Sequence, residues 1–290
     1  MGFEYLTNVP LQQAQDDYLK LLTENGFAAR TELIPVQTAC GRVTAKPVYA
    51  NICAPHYAAS AMDGVAVNAR DTFGATETTP VNLKPGQFIV LDTGDPIPEN
   101  CDAVIMVEDI VKNEDGTITI HAAAAPWQHI RQIGEDICAG EMILPAHMTV
   151  SPSAIGAMIA GGVLEIEVIR KPRVGIIPTG DEIIPPCTDP KPGDILEFNG
   201  SIFSAMIRSW GAEATVYPIV PDKFDQIKAM VAKAADECDL VILNAGSSAG
   251  REDFSVKVIR ELGEVLYHGI AMKPGKPAIL GCCGLSSTTG

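Results

Sequence analysis

The chain has 290 residues, enough for two or three domains, and its 47% hydrophobic and 20% charged content supports a sizeable core and excludes a disordered chain. A formal net charge of −15 argues against nucleic acid or an anionic membrane surface as a partner, and no apolar run reaches the roughly 18 residues of a membrane span. Met1-Gly2-Phe3-Glu4-Tyr5 has neither a basic nor an apolar stretch, so no secretory signal is read, and eight scattered cysteines without C-x-x-C read as reduced thiols of a cytoplasmic protein.

Leu11, Ala14, Tyr18, Leu21 and Leu22 recur at helical spacing, and Gly26 follows as a stop, which predicts an amphipathic helix. From about Pro47 to Asp136 the runs become short, β-branched and punctuated by turns, as in Val81 to Leu91 and Ala103 to Val107. Val111 to Ile120 reads as a hairpin around Glu114-Asp115-Gly116. Ser151-Pro152 then sets a helix start for Ala154 to Ile159, and Gly161-Gly162 end it. Leu164, Ile166 and Val168 alternate with Glu165 and Glu167, as in a half-exposed strand. The first helix and this segment are expected to pack together, with the β-rich module inserted between them.

From Arg173 strands and helices alternate. Strand Val174 to Ile177 precedes a helix from Asn199 to Trp210, with Phe203, Met206, Ile207 and Trp210 on one face. Strand Ala214 to Val220, a helix from Phe224 to about Ala235, strand Leu240 to Leu243, helix Phe254 to Leu262 and strand Val265 to Ala271 follow. This order predicts a parallel, doubly wound sheet, and the fold class is multi-domain α/β.

Ligands of such sheets sit beyond the carboxyl ends of the strands. One strand empties into Pro178-Thr179-Gly180-Asp181-Glu182, another into the side-chain-poor loop Asn244 to Asp253, with Gly246, Ser247, Ser248 and Gly250. Small residues let backbone N–H groups face an anion, and a helix N-terminus adds its positive end. Glu182, Asp222 and Asp253 fall on the same edge, and carboxylates beside an anion site imply a divalent cation. Each loop also reads as an ordinary turn, with Asp253 as a helix cap. Neither a dinucleotide fingerprint nor a P-loop is present.

Met272-Lys273-Pro274-Gly275-Lys276-Pro277 places two lysines around a Pro-Gly turn, a rigid cationic island in an acidic protein. In the β-rich module, Ser60-Ala61-Met62-Asp63-Gly64, Thr93-Gly94-Asp95-Pro96 and Arg131-Gln132-Ile133-Gly134-Glu135-Asp136 are compact polar breaks, each structural when taken alone. The five histidines are dispersed and form no catalytic arrangement with a serine or cysteine.

Taken in order, S-A-M-D-G, the T-G turn, R-x-x-G-E-D, P-T-G-D-E, Pro221-Asp222 and M-K-P-G-K-P resemble the molybdopterin molybdotransferases, the MoeA and gephyrin E-domain family, from about Leu6 to Gly281. The resemblance implies an elongated domain I from residues 1–48 and 137–172, a β-rich domain II at 49–136, and an α/β molybdopterin-binding domain III at 173–290. It also implies that domain III stops short and that a C-terminal β-barrel domain IV is absent. The implied activity inserts molybdate, or tungstate, into adenylylated molybdopterin and releases AMP, with Mg2+ and in a homodimer. By position, Asp63, Asp136, Glu182 and Asp253 are implied as catalytic. Thr93, Arg131, Thr179, Gly180, Asn244, Gly246, Ser247, Ser248, Gly250, Lys273 and Lys276 are implied to bind substrate, and Glu182, Asp222 and Asp253 to hold the metal. An alternative is a non-catalytic molybdopterin-binding or dimerisation scaffold of the same descent.

Departures from the family pattern stand out. S-G-G-V-S-V-G-D-Y-D has become Asn244 to Asp253, with Ala245 in place of a glycine and Arg251 at the helix entrance. Val65 replaces the aromatic residue after S-A-M-D-G.

Overall fold

The structure is a computed structural model that describes residues 9–24, 26–245 and 254–283. It divides into two compact units: residues 31–169, and the residues up to Arg30 together with those from Arg170 onward. Helix α1 (Leu11–Glu24) opens the chain and belongs to the second of these.

The unit of residues 31–169 contains β1 (Thr31–Pro35), β2 (Ala59–Ser60), β3 (Gly64–Val67), β4 (Phe88–Leu91), β5 (Ala103–Met106), β6 (Ile130–Arg131), α2 (Pro152–Ala160) and β7 (Glu165–Ile169). β3 is the middle strand of an antiparallel sheet, between β4 and β5. It is buried along its whole length because both faces are covered. Val65 and Val67 point into one cluster with Leu83, Ile105, Ile118 and Ile120, while Ala66 points into another with Leu91, Val104 and Ile130. The period-two alternation of a strand thus feeds two cores. Gly64 has a separate reason: a Cβ there would overlap the carbonyl oxygen of Ile105.

A third cluster joins α2 to β7, through Ala154, Met158, Val163, Ile166 and Val168. The Ser151 hydroxyl accepts the N–H of Ala154 at 3.1 Å, with Pro152 at the first helical position, as the sequence signals. β7 runs antiparallel to β1, which the sequence reading did not identify, and Leu164 lies just outside the pairing and is exposed. The expected hairpin forms, as Ile110–Lys112 pairs with Ile118–Ile120. Val81 to Leu91 is two strands in different sheets rather than one run. Gly86 adopts φ +95° and the N–H of Gln87 closes a turn onto Lys84 at 3.0 Å, so the chain reverses there.

The other unit contains β8 (Arg173–Pro178), α3 (Asn199–Ser209), β9 (Glu213–Val216), α4 (Phe224–Glu237), β10 (Leu240–Asn244), α5 (Phe254–Leu262), β11 (Gly263–His268) and β12 (Ile279–Cys283). The order β9-β8-β10 is a three-stranded parallel sheet. Val174 and Ile176 of β8 pack toward α3, and Ile177 packs toward α4 and α5, so helices cover both faces. Gly175 lies under Tyr217, which a Cβ would approach to 2.9 Å. The multi-domain α/β class stands.

Two details differ from the sequence reading. α3 turns Gly200, Phe203, Ser204 and Ile207 toward the sheet and leaves Met206 and Trp210 exposed, so the inward face is rotated from the one expected. The last strand does not extend the parallel sheet: β11 pairs antiparallel with β12. α1 belongs to this hairpin rather than to residues 137–172. The Tyr267 hydroxyl donates to Asp17 at 2.6 Å, and burial, then the nearby Cys282 and Cys283, push the Tyr18 phenol up.

Candidate functional site

In the unit of residues 31–169, the three polar breaks of the sequence meet. β2 pairs with β6, Ser60 opposite Ile130, and Ala59 bridges to Pro96. The N–H of Ser60 donates to the Asp95 carbonyl at 2.9 Å, and the N–H of Gly94 donates back to Ser60 at 2.8 Å. The N–H of Ala61 reaches the His129 carbonyl at 2.9 Å. Residues 60–64, 92–96 and 129–136 are therefore one surface, built on two short strands.

Within it, Asp63 Oδ1 accepts both the hydroxyl and the N–H of Thr93, each at 2.7 Å. The Thr93 hydroxyl first, then its N–H, holds the Asp63 carboxyl below the usual carboxylate range. Arg131 Nη2 lies 2.6 Å from Asp136 Oδ2, and Nε lies 3.7 Å from Glu135. The hydrogen bond to Asp136, then its charge, holds the guanidinium further toward the protonated form. The structure thus pairs Asp63 with Thr93 and Arg131 with Asp136. Such fixed carboxylate and guanidinium edges suit a polar or phosphorylated ligand.

In the unit with the parallel sheet, Thr179 and Gly180 cap β8 and are buried. The N–H of Thr179 donates to the Asn244 carbonyl at 2.9 Å, so the ends of β8 and β10 are tied side by side. The N–H of Gly180 donates to Val220 at 3.2 Å, and the N–H of Asp222 donates to Asp181 Oδ1 at 3.1 Å. Three of the expected loop positions, Thr179, Gly180 and Asn244, and the two carboxylates Glu182 and Asp222 therefore sit on one carboxyl edge. Because β8 lies between β9 and β10, with α3 on one face and α4 on the other, this edge is where the winding reverses. Gly180 has φ +145°, and a Cβ would come within 2.6 Å of Ile183. Gly246, Ser247, Ser248, Gly250 and Asp253 lie outside the described residues.

An open cleft of about 600 Å³ lies at this edge, lined by Pro178, Gly180, Asp181, Pro186, Glu197 and Pro218 among others. Glu197 went unnoticed in the sequence, and Asp181 was read there without a role of its own. Asp181 sits inside the P-T-G-D-E motif, and its role in fastening the Asp222 loop depends on a neighbour distant in sequence. Glu197 accepts the N–H of Gly200 at 2.6 Å, at the start of α3.

Lys273 and Lys276 are exposed on the turn between β11 and β12. The N–H of Ile270 donates to the Lys276 carbonyl at 3.0 Å, and the N–H of Ala278 donates to Gly275 at the same distance. Gly275 adopts φ +100°, a backbone conformation that is strained for any residue with a Cβ, which is why a glycine stands between the lysines.

Glu182 and Asp222 offer the hard carboxylate oxygens that Mg2+ prefers. Among the described residues no three His, Cys, Asp or Glu side chains gather as a metal cluster, and Asp253, the third expected ligand, is outside them. None of the described helices is long and apolar enough to cross a membrane.

Comparisons with known proteins cover both units. Residues 9–162 match the family described as "MoeA N-terminal region (domain I and II)", and residues 175–290 match that described as "Probable molybdopterin binding domain". The molybdopterin molybdenumtransferase of Haemophilus influenzae is 32% identical over 273 residues, 90% of this chain and 68% of that protein. Molybdopterin molybdenumtransferase 2 of Mycobacterium tuberculosis is 32% identical over 291 residues, 91% of this chain and 71% of that one. The crystal structure of a molybdopterin biosynthesis MoeA protein from Pyrococcus horikosii superposes with a TM-score of 0.78 at 32% identity, over 96% of this chain and 72% of that one.

Proposed function

The chain belongs to the molybdopterin molybdotransferase family and has a role in molybdenum cofactor biosynthesis as a transferase, and we propose that it inserts molybdate into adenylylated molybdopterin with release of AMP. The observation that carries this reading is the tie between Thr179 and Asn244 at the carboxyl edge of the β9-β8-β10 sheet. It exposes a loop edge at the point of reversal where α/β sheets take their ligands. Thr179, Gly180 and Asn244 fix the edge of the substrate site, and Gly246, Ser247, Ser248 and Gly250 bind the pterin and its phosphates through the backbone.

Lys273 and Lys276 attract molybdate, a dianion, into a protein whose net charge of −15 would otherwise repel it. Tungstate has the same charge and shape and is taken by the same chemistry. Asp63, Thr93, Arg131 and Asp136 form a second substrate surface, on the unit of residues 31–169, and catalytic roles fall to Asp63 and Asp136 there and to Glu182 and Asp253 in the other unit. Glu182, Asp222 and Asp253 would hold Mg2+, which when bound neutralises the phosphates at the anhydride to be cleaved. The Asp181 bond to the N–H of Asp222 holds two of these carboxylate-bearing loops adjacent.

The active form in this reading is a homodimer. Its support is the exposed apolar series Phe198, Ile202, Met206 and Trp210, four residues apart along α3 and its two caps. A cytoplasmic location, read from cysteine usage, belongs to the same proposal.

Incubation with adenylylated molybdopterin, Mg2+ and molybdate should release AMP, and replacing both lysines by alanine should raise the molybdate concentration required. Tight molybdopterin binding without any AMP release would instead mark the chain as a binding scaffold. Light scattering should give twice the mass of the chain; a monomer mass would overturn the dimer.

A further inference from the structure

We infer that Cys53 and Cys138 form a dithiol pair that closes reversibly to a disulfide at the base of the Arg131–Asp136 loop. Two observations place them together. The N–H of Ala54 donates to the Ile137 carbonyl at 2.8 Å, and the N–H of Ile137 donates back to Ala54 at 3.0 Å, which makes these two a hydrogen-bonded antiparallel pair. The ladder stops at this pair, because the N–H of Glu141 turns back to the Cys138 carbonyl at 3.0 Å and the N–H of Ile52 donates to Gly161 at 3.1 Å. Cys53 and Cys138 are the residues that flank this bonded pair on the same side, one step from it, at a position of the non-hydrogen-bonded kind. There Cα atoms approach to about 4.5 Å, within the roughly 4.4–6.8 Å that a disulfide spans.

Both sulfurs border the same glycine. A Cβ built on Gly134 would lie 3.1 Å from Cys138 Sγ and 3.4 Å from Cys53 Sγ, so the two sulfurs are no farther apart than those distances together. Gly134 leaves them a shared space that any side chain would fill. Cys138 Sγ also rests 3.4 Å from the Gly134 carbonyl, and the N–H of Ala139 points at Cys53 Sγ from 3.4 Å. Both thiols are free, Cys138 exposed and Cys53 half-buried.

A small disulfide such as oxidised glutathione is a sufficient oxidant. The exposed Cys138, as its thiolate, attacks one sulfur of the reagent, whose S–S bond breaks and releases one thiol. Cys53, as its thiolate, then attacks Cys138 Sγ, forms the internal disulfide and expels the second thiol. The two cysteines lose two electrons and two protons, and both end on the two released thiols. The consequence falls on the adjoining loop. The N–H groups of Gly134 and Asp136 donate to Pro55 and Ala54, each at 3.0 Å, so the segment bearing Arg131 and Asp136 hangs from the residues next to Cys53.

The test is peptide mapping by mass spectrometry, without reduction, of the chain treated with oxidised glutathione. The expected result is loss of two hydrogens, a Cys53–Cys138 linked peptide, recovery of both thiols with dithiothreitol, and slower amide exchange at Gly134 and Asp136 in the oxidised form. In C138S the linked peptide should vanish and Cys53 carry only a glutathione adduct. Separate adducts on Cys53 and Cys138 in the wild-type chain, linkage of either to another cysteine, or two thiols that stay unoxidised would each overturn the proposal. The wild-type mapping decides the matter even if the variant fails to fold.

Discussion

Asp63 and Thr93 show what single side chains contribute. They stand 30 residues apart, yet one carboxylate oxygen takes both donors of the threonine. The carboxyl titrates below its ordinary value, so the bonds favour the folded state above about pH 4 and lose that effect as pH falls through the lowered value. Thr93→Val removes the hydroxyl and leaves the N–H, so the Asp63 midpoint in a carboxyl NMR titration should move up but not all the way. A midpoint that stays in place would show that the hydroxyl does not bond it. The motif residues were legible as candidates through their order along the chain, since each alone is an ordinary turn composition. Their pairing was not, because hydrogen-bond partners across a fold leave no mark on local spacing.

Elements explain which parts of the pattern could be read. The start of α2 was legible: serine followed by proline is a local signal, and the Ser151 cap forms as that signal requires. Ser151→Ala should lower stability by about 1 kcal/mol in urea unfolding. The rotation of α3 was not legible, since Phe203, Met206, Ile207 and Trp210 and the observed set differ by a fraction of a turn. The sheet decides between them, because Gly200 and Ser204 fit closely where larger residues would not. β8 carries a related constraint. Gly175→Ala would push a methyl against Tyr217 and to 3.2 Å from Cys238 Sγ, and should cost on the order of 1–3 kcal/mol in the same measurement. Unchanged stability would mean that the Tyr217 ring moves aside freely.

At the scale of the whole molecule, the chain leaves the sheet-bearing unit after Arg30 and returns at Arg170, and the N–H of Arg170 donates to the Arg30 carbonyl at 2.8 Å. Arg170 is then held by both oxygens of Asp239, at 2.7 and 2.8 Å, just before β10. Asp239 is only 10% exposed. Burial pushes its carboxyl up, but the N–H of Arg173, the Arg170 guanidinium and the charge of Arg30 outweigh that and leave it lowered. Its contribution is thus present above the ordinary carboxylate range and lost as pH falls through the lowered value. Asp239→Ala would strand Arg170 and the N–H of Arg173, and should cost about 3 kcal/mol. The variant's stability should also fall less steeply below pH 4 than that of the parent chain, as followed by thermal unfolding across pH.

By itself, the sequence determined the α/β class, most of the strands and helices from residue 173 onward, and the loop motifs that mark the family. These are written in local periodicity and in turn residues whose backbone needs are intrinsic. Only the tertiary structure decided that α1 joins the C-terminal hairpin, that β11 leaves the parallel sheet, and that the motifs of residues 60–64, 92–96 and 129–136 form one surface. It also decided that Cys53 and Cys138 share the space beside Gly134. Such outcomes depend on strand register and on which apolar faces find each other across long stretches of chain, and local spacing records neither.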